Sequence, residues 1–448
     1  MISQVLNMGF LLGAATETRS GLSDLVDDRD RRTTPVDEGG LADYTDAQIQ
    51  EVVDELLRAS QAAVQEQDPM SSDMWMPREP ILAILQTELT RLLEEGPAEL
   101  VDDTDGVVTR RIEGDQGVRE SDGRRAFGPF EITTPWILGD PRWLWLGVIK
   151  AWYGFKKKVE FGGLPPQAVA IAEDARIILV GDWGSGLPRA QAVASHIRAT
   201  LNEGIEEGRE QHVIHLGDVY YSGSKKEYTE HFLAHWPVRE AEEIGSYTLC
   251  GNHDMYRGGH EFYRTALADP RFERQKGKSV FALRNKYWQF LGLDTAYEDK
   301  RLSNGQVEWI GQQVDHAPTR RTALMSHHQL FSAYQNSGEQ LRTQLKPLLD
   351  NDSVDAWFWG HEHRCLTYEP QHGVKFASCV GHGGIPQYLV RSDSDPLLAG
   401  LRYDYRERFG KGPEPWNTFG FAVIDLDKTA MTIRYVNERG VVHHSENI

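Results

Sequence analysis

An α/β fold carrying a helical N-terminal appendage is what the sequence predicts, and three observations carry that prediction. From about Gln167 onward the chain repeats short apolar, β-rich runs closed by polar turns, with amphipathic helical stretches between them. In "ARIILVGDWG", "HVIHLGDVYY", "SYTLCGNHD", "RTALMSHHQ" and "VDAWFWGHEH" a metal-capable residue follows the C-terminal end of the run. Open α/β sheets bind ligands at the carboxyl ends of their strands, so these ends in series point to one composite site. Finally, the chain has 448 residues, 40% hydrophobic and 26% charged, which is globular composition and too long for one typical core.

The N-terminal elements come first. "MISQVLNMGFLLGAATETRS" has a short apolar run that no Lys or Arg precedes and that Asn7 interrupts, so it is a poor secretory signal. Cys250, Cys365 and Cys379 form no CxxC pair and no disulfide framework; a reducing, cytoplasmic setting is the expectation. The first 125 residues contain no lysine, and "RSGLSDLVDDRDRRTTPVDEGG" reads as loop or disorder. Helical apolar spacing appears in Asp46 to Gln67 and in Glu79 to Glu95, the latter through Ile81, Ile84, Leu85 and Leu92. "PRWLWLGVIKAWYGFKKKVEF", Pro141 to Phe161, is aromatic-rich but shorter in apolar run than the roughly 18 residues that span a bilayer. It suits a helix docked on the main domain, with contact at a membrane surface the other reading. Residues 1–165 are therefore expected to form an acidic, partly helical or disordered accessory region, and residues 166–448 the main domain. A formal net charge of -19 argues against binding nucleic acid through its phosphates.

In the main domain, Asp182, Asp218, Asn252, His327, His361 and His363 offer the mixed O and N donors that suit Zn, Fe or Mn. A glycine precedes each motif except "SHHQ", which allows close backbone approach. Singly, each residue has an ordinary reading. Asp182 could cap the helix near Pro188, Asn252 could make an Asx-turn, and His327 or His328 could be a hydrogen-bonded core histidine. Their joint order at strand ends favours a metal site.

This series of blocks resembles the calcineurin-like metallophosphoesterase superfamily. Many members begin with Asp-x-His, whose histidine binds the first metal; here the stretch is Asp182-Trp183-Gly184. "GDxG" paired with "GDxxY" resembles the small, mammalian-type purple acid phosphatases, where a tyrosinate replaces that histidine, and Tyr221 stands three residues after Asp218. A phenolate is a hard anionic donor suited to Fe(III). Tyr220, on the opposite face of an extended strand, reads as packing. The resemblance implies that metal one takes Asp182, Tyr221 and His363, that metal two takes Asn252, His327 and His361, and that Asp218 bridges them. The implied metals are Fe(III) with Fe(II), Zn or Mn. His327 rather than His328 holds the ligand position, although Gln329 stands where the family has proline. His253 is implied to contact the phosphate and protonate the leaving oxygen, with Asp254 orienting it.

The same resemblance implies a four-layer metallophosphoesterase sandwich of α/β (α+β) class, two packed β-sheets flanked by helices. It further implies hydrolysis of small phosphate monoesters by in-line attack of a water activated between two ions about 3.5–4 Å apart. A phosphodiesterase acting on cyclic nucleotides or other diesters, including lipid head groups, is the alternative. A non-catalytic scaffold is disfavoured because no ligand block is eroded. Asp294 in "FLGLDTAY" reads as a core strand-end residue, and His382 in "CVGHGGIPQY" as pocket-lining or structural. The cysteines read as small buried hydrophobes.

Overall fold

The computed structural model describes residues 8–31, 41–65, 77–95, 142–316, 319–335, 337–389, 391, 395–410 and 416–448. They fall into two compact units, one ending at Gly154 and the other running from Phe155 to Ile448.

The first unit is helical: α1 (Met8–Arg31), α2 (Asp46–Gln65), α3 (Pro80–Glu95) and α4 (Arg142–Phe155). Helix α1 corrects the expectation of loop or disorder from Arg19 on, at least as far as Arg31; residues 32–40 lie outside the described residues. No proline interrupts α1, and Leu11, Ala15, Thr18 and Leu22 recur at helical spacing and are buried. Near its end Arg29 donates to the Leu41 and Tyr44 carbonyls and to Asp46 Oδ1, tying α1 to the start of α2. That start is a capping box. Thr45 N donates to Gln48 Oε1 at 2.9 Å, while Gln48 N donates to Thr45 Oγ1 at 3.3 Å. The aromatic helix α4, expected against the main domain, is tied to α2 of its own unit, where Trp152 Nε1 and the Tyr153 hydroxyl both donate to the Glu51 carboxylate. No helix among the described residues is long and apolar enough to cross a membrane.

The chain after α4 packs within the second unit: Val159 N donates to Gly258 O at 2.8 Å and Phe161 meets Tyr297 edge-on. This unit holds two main sheets. The six-stranded sheet has β2 (Arg176–Val180), β3 (Gln211–His215) and β4 (Gly245–Thr248) in parallel. It continues from β2 through the antiparallel meander β14 (Gly420–Asp427), β15 (Ala430–Asn437) and β16 (Val442–Asn447). In the eight-stranded sheet β1 (Val169–Ala170) and β5 (Phe281–Arg284) precede β6 (Trp288–Gly292), β7 (Arg321–Ser326), β8 (Val354–Trp359) and β10 (Val374–Val380), the last four parallel in that order. Strands β9 (Cys365–Tyr368) and β11 (Leu401–Asp404) close that edge.

Period-2 alternation sorts the side chains into layers. Ile177 and Leu179 of β2 join Ile214, Tyr247, Phe290, Met325 and Phe358 in a core between the sheets. Ile178 and Val180 face the other way, onto Val193, Ile197 and Leu201 of α5 (Pro188–Glu206). Leu324, Trp357 and Trp359 of the second sheet likewise pack on Trp309 and Ile310 of α7 (Gln306–Asp315), α6 being the single turn Asn252–Met255. The result is the expected four-layer order of helices, sheet, sheet and helices.

Candidate metal centre

Strands β2, β3, β4, β7 and β8 end at Val180, His215, Thr248, Ser326 and Trp359, and the turns beyond them converge. The backbone is bent sharply there. Asp182, Asp218, His361 and His363 have φ of 54°, 75°, 66° and 52°, a left-handed region that costs a non-glycine residue about 1–3 kcal/mol and clusters at functional sites. Glycines make the approach possible: a Cβ on Gly251 would stand 2.1 Å from Asp218 Oδ1, and one on Gly360 2.7 Å from Asp182 Oδ2. Asp182 does not cap α5, whose N-cap is Leu187 with Pro188 at the first turn.

Two clusters form, and they share one carboxylate oxygen. In the first, the Tyr220 hydroxyl lies 2.9 Å from Asp182 Oδ1, 3.1 Å from Asp218 Oδ2 and 3.0 Å from His363 Nε2. In the second, His327 Nε2 lies 3.2 Å from the same Asp218 Oδ2, 3.0 Å from Asn252 Oδ1 and 3.2 Å from His361 Nδ1. Partners outside the clusters aim these groups. His327 Nδ1 is 2.9 Å from the Leu216 carbonyl, which only an N–H on Nδ1 satisfies, leaving the Nε2 lone pair for the site. Asn252 Nδ2 donates to the Tyr256 hydroxyl at 2.7 Å, turning Oδ1 toward His327. Asp218 Oδ2 and Asn252 Oδ1 face His327 Nε2 as acceptors, and with the His361 Nδ1 nitrogen they form a mixed O and N donor set that suits a cation. The residues fit a metal pair.

Two expectations change. The hydroxyl found 2.9–3.1 Å from Asp182, Asp218 and His363 belongs to Tyr220, which the sequence assigned to packing, whereas Tyr221 was the expected donor. Extended alternation does not reach this far: β3 stops at His215, and positive φ at Gly217 (102°) and Asp218 (75°) redirects the chain before the tyrosines. Tyr221 is buried, and its backbone N and O bond Glu227 Oε1 and His253 Nδ1. Nor does Asp254 orient His253. Its carboxylate accepts from the Gly251, Asp218 and Val219 amides and the Tyr228 hydroxyl, so it braces the turns beneath Asp218. The His253 ring is fixed instead by the Tyr221 carbonyl at 2.6 Å from Nδ1 and lies against Tyr220 and Tyr256, while His253 N donates to Asp218 Oδ1.

His328 is also buried here, its Nδ1 3.0 Å from Thr295 Oγ1 and its ring 4.6 Å from that of His361. His327 holds the contacts to Asp218 and Asn252. Asp294 accepts from the Ala296 and Tyr297 amides, a strand-end turn. Sequence reasoning missed Glu227, Tyr228 and Tyr256. Of these, Tyr256 was legible, since it lies one helical turn after Asn252.

Burial sets the electrostatics. It opposes charge on His327, yet the Asp218 and Asp182 carboxylates outweigh it and raise the imidazole to about 9. Burial pushes Asp182 above its ordinary value against the pull of His327, whereas Asp218, equally buried, is held well below by His327 and His253. Burial, then the two carboxylates, lift the Tyr220 phenol well above its usual range. Without a cation the anionic groups lean on one histidine for positive charge.

A two-sheet α/β sandwich with carboxylates, imidazoles and a phenol converging at its strand ends is the architecture of a metallophosphoesterase. Residues 175–365 match the family described as calcineurin-like phosphoesterase, and this match together with the acid phosphatase relatives supports a phosphoric ester hydrolase. Human tartrate-resistant acid phosphatase type 5 is 23% identical over 308 residues, covering 62% of this chain and 91% of that one. Purple acid phosphatase 7 of Arabidopsis thaliana is 23% identical over 253 residues, 51% of this chain and 75% of that one. Among solved structures, GAP50, described as the anchor in the inner membrane complex of Plasmodium, covers 61% of this chain and 88% of its own at 14% identity, with a TM-score of 0.48.

Proposed function

We propose that the protein is a dinuclear phosphomonoesterase of the purple acid phosphatase kind, acting on small phosphorylated molecules. The observation that carries this reading is the position of Asp218 Oδ2, 3.1 Å from the Tyr220 hydroxyl and 3.2 Å from His327 Nε2, at the junction of two donor clusters. Asp182, Tyr220 and His363 would hold Fe(III), the phenolate supplying a hard anionic donor, and Asn252, His327 and His361 would hold Fe(II), Zn or Mn. When bound, such a pair lowers the pKa of a water and neutralises charge on the phosphate oxygens during in-line displacement.

The chain's own residues supply the rest. His253 is the candidate general acid: with the Nδ1–H on the Tyr221 carbonyl, Nε2 carries a transferable proton in the imidazolium form, which burial restricts to acidic pH. Asp254 acts as a positioning residue, holding the Gly251 and Asp218 backbones so that the bridging carboxylate keeps its place. Tyr256 keeps the Asn252 oxygen turned inward.

Asp218→Ala tests the reading. It is expected to lower kcat for an aryl phosphate by roughly 10³-fold or more, the scale of losing one well-placed electrostatic group, and to lose bound metal. Undiminished hydrolysis by the variant would remove the proposal.

A further inference from the structure

A second cluster lies outside this centre. Cys365 opens β9, His382 follows the end of β10, and His443 sits in β16; one ligand atom from each lies within 4.8 Å of the others. Cys365 is 0% and His382 1% exposed, and His443 is half-buried. A neutral imidazole carries one N–H and one lone pair, and buried polar atoms nearly always find partners. Neither ring nitrogen of His382 has one among the described residues, nor has His443 Nε2. His443 Nδ1 lies 2.9 Å from the Tyr403 hydroxyl, and its ring stacks on Tyr405 at 3.7 Å. One nitrogen anchored by a hydroxyl and the other without a protein partner is how ligating histidines are held.

We propose that Cys365, His382 and His443 form a mononuclear divalent-metal site, suited to Zn²⁺, separate from the phosphoesterase centre. A thiolate and two imidazoles match the structural and catalytic zinc sets, with bonds of about 2.3 Å to sulfur and about 2.0–2.1 Å to nitrogen. Tetrahedral geometry sets such donors about 3.3–3.6 Å apart, so from its outer limit of 4.8 Å the site closes by at most about 1.5 Å, within reach of side-chain rotation. On binding, the Cys365 S–H bond breaks, a sulfur–metal bond forms, and the proton passes to bulk water. Water takes the fourth position. Cys365 lies two residues after His363, and His382 follows Gly381, where a Cβ would meet Asp182 Oδ2 at 2.7 Å. The ion therefore clamps the loops behind two phosphoesterase-centre residues to β16 of the opposite sheet.

The test uses the full-length protein produced in cobalt-supplemented medium. The phosphoesterase centre offers only nitrogen and oxygen donors, so sulfur-to-cobalt charge-transfer absorption in the near ultraviolet reports this site alone. The expected result is that band, with one metal equivalent per chain more in the wild type than in His443→Ala, and loss of the band in both His443→Ala and Cys365→Ser. An unchanged far-ultraviolet circular dichroism spectrum of His443→Ala shows that the variant folds. Absence of the band in the wild type, its persistence in Cys365→Ser, or equal metal content in wild type and His443→Ala overturns the proposal. Equal content would leave His382 bonded to a buried water.

Discussion

Asp218 shows what a single position is asked to do: one oxygen serves two clusters, the other accepts the His253 amide, and its own amide is held by Asp254. Such residues were legible because the signal is local, a polar donor directly after an apolar run. The tyrosine was not. Choosing between Tyr220 and Tyr221 required the path of the chain after β3, which turns through positive φ at Gly217 and Asp218, and no side-chain periodicity records that turn. Asp254 failed for a related reason, since its partners are backbone amides that only the folded turns bring together. The assignment has a direct consequence. Tyr220→Phe is expected to abolish the visible phenolate-to-iron band of the iron-loaded protein and to weaken metal binding by more than the roughly 10–100-fold typical of an outer partner. Tyr221→Phe is expected to keep the band. Absorption spectra of the two variants decide, and the reverse pattern would return ligation to Tyr221.

At the scale of elements, the parallel strands were readable because both faces are buried and leave near-continuous apolar runs, as in "RIILV" of β2, buried at every position. Helix α1 was not, because its buried stripe is interrupted by small residues and set among acidic and basic ones. The pairing of β14 with β2 was beyond reach for a different reason: it joins residues about 250 apart, and register across that distance is a tertiary property. One ion pair marks it. Arg176 and Asp425 are register partners, Arg176 Nε lies 2.6 Å from Asp425 Oδ1, and the Arg176 side chain is only 3% exposed. Glu207 of the loop after α5 takes the same guanidinium at 2.9 Å, and Arg434 of β15 takes the other Asp425 oxygen at 2.9 Å. Removing one partner of a buried pair leaves the other desolvated and underpaired. Asp425→Ala is therefore expected to cost about 2–3 kcal/mol, somewhat below the usual figure because Glu207 remains. Urea unfolding should show a lower midpoint at unchanged slope, with KM for an aryl phosphate unaltered.

For the whole molecule, the distribution of buried histidines sets the response to acid. Burial pushes His215 down to about 3, and it holds His328 and His382 well below the ordinary imidazole value. In the unfolded chain these groups return to a pKa near 6.5. Below that value the unfolded state binds protons that the folded state refuses, so stability is complete above about pH 6.5 and falls as pH drops toward the folded values. His327 runs the other way in the metal-free protein: raised to about 9, it contributes fully below about 6.5 and loses that contribution as pH rises through 9. His215 isolates the first effect. Its ring is enclosed by Trp183, Phe232 and Trp236, and its Nδ1 is 3.1 Å from Thr248 Oγ1. Of the charged groups facing it, Asp218 raises its pKa and His327 lowers it, both less than burial does. A group with this shift costs about 2 kcal/mol of stability between about pH 6.5 and 5. His215→Phe keeps a ring of similar size and removes the titration, so the loss of unfolding free energy over that interval should shrink by about 2 kcal/mol relative to the wild type. Urea unfolding of both proteins at the two pH values measures it. An equal loss in both would mean that His215 takes up its proton in the folded state, and that the aromatic enclosure leaves it open to solvent.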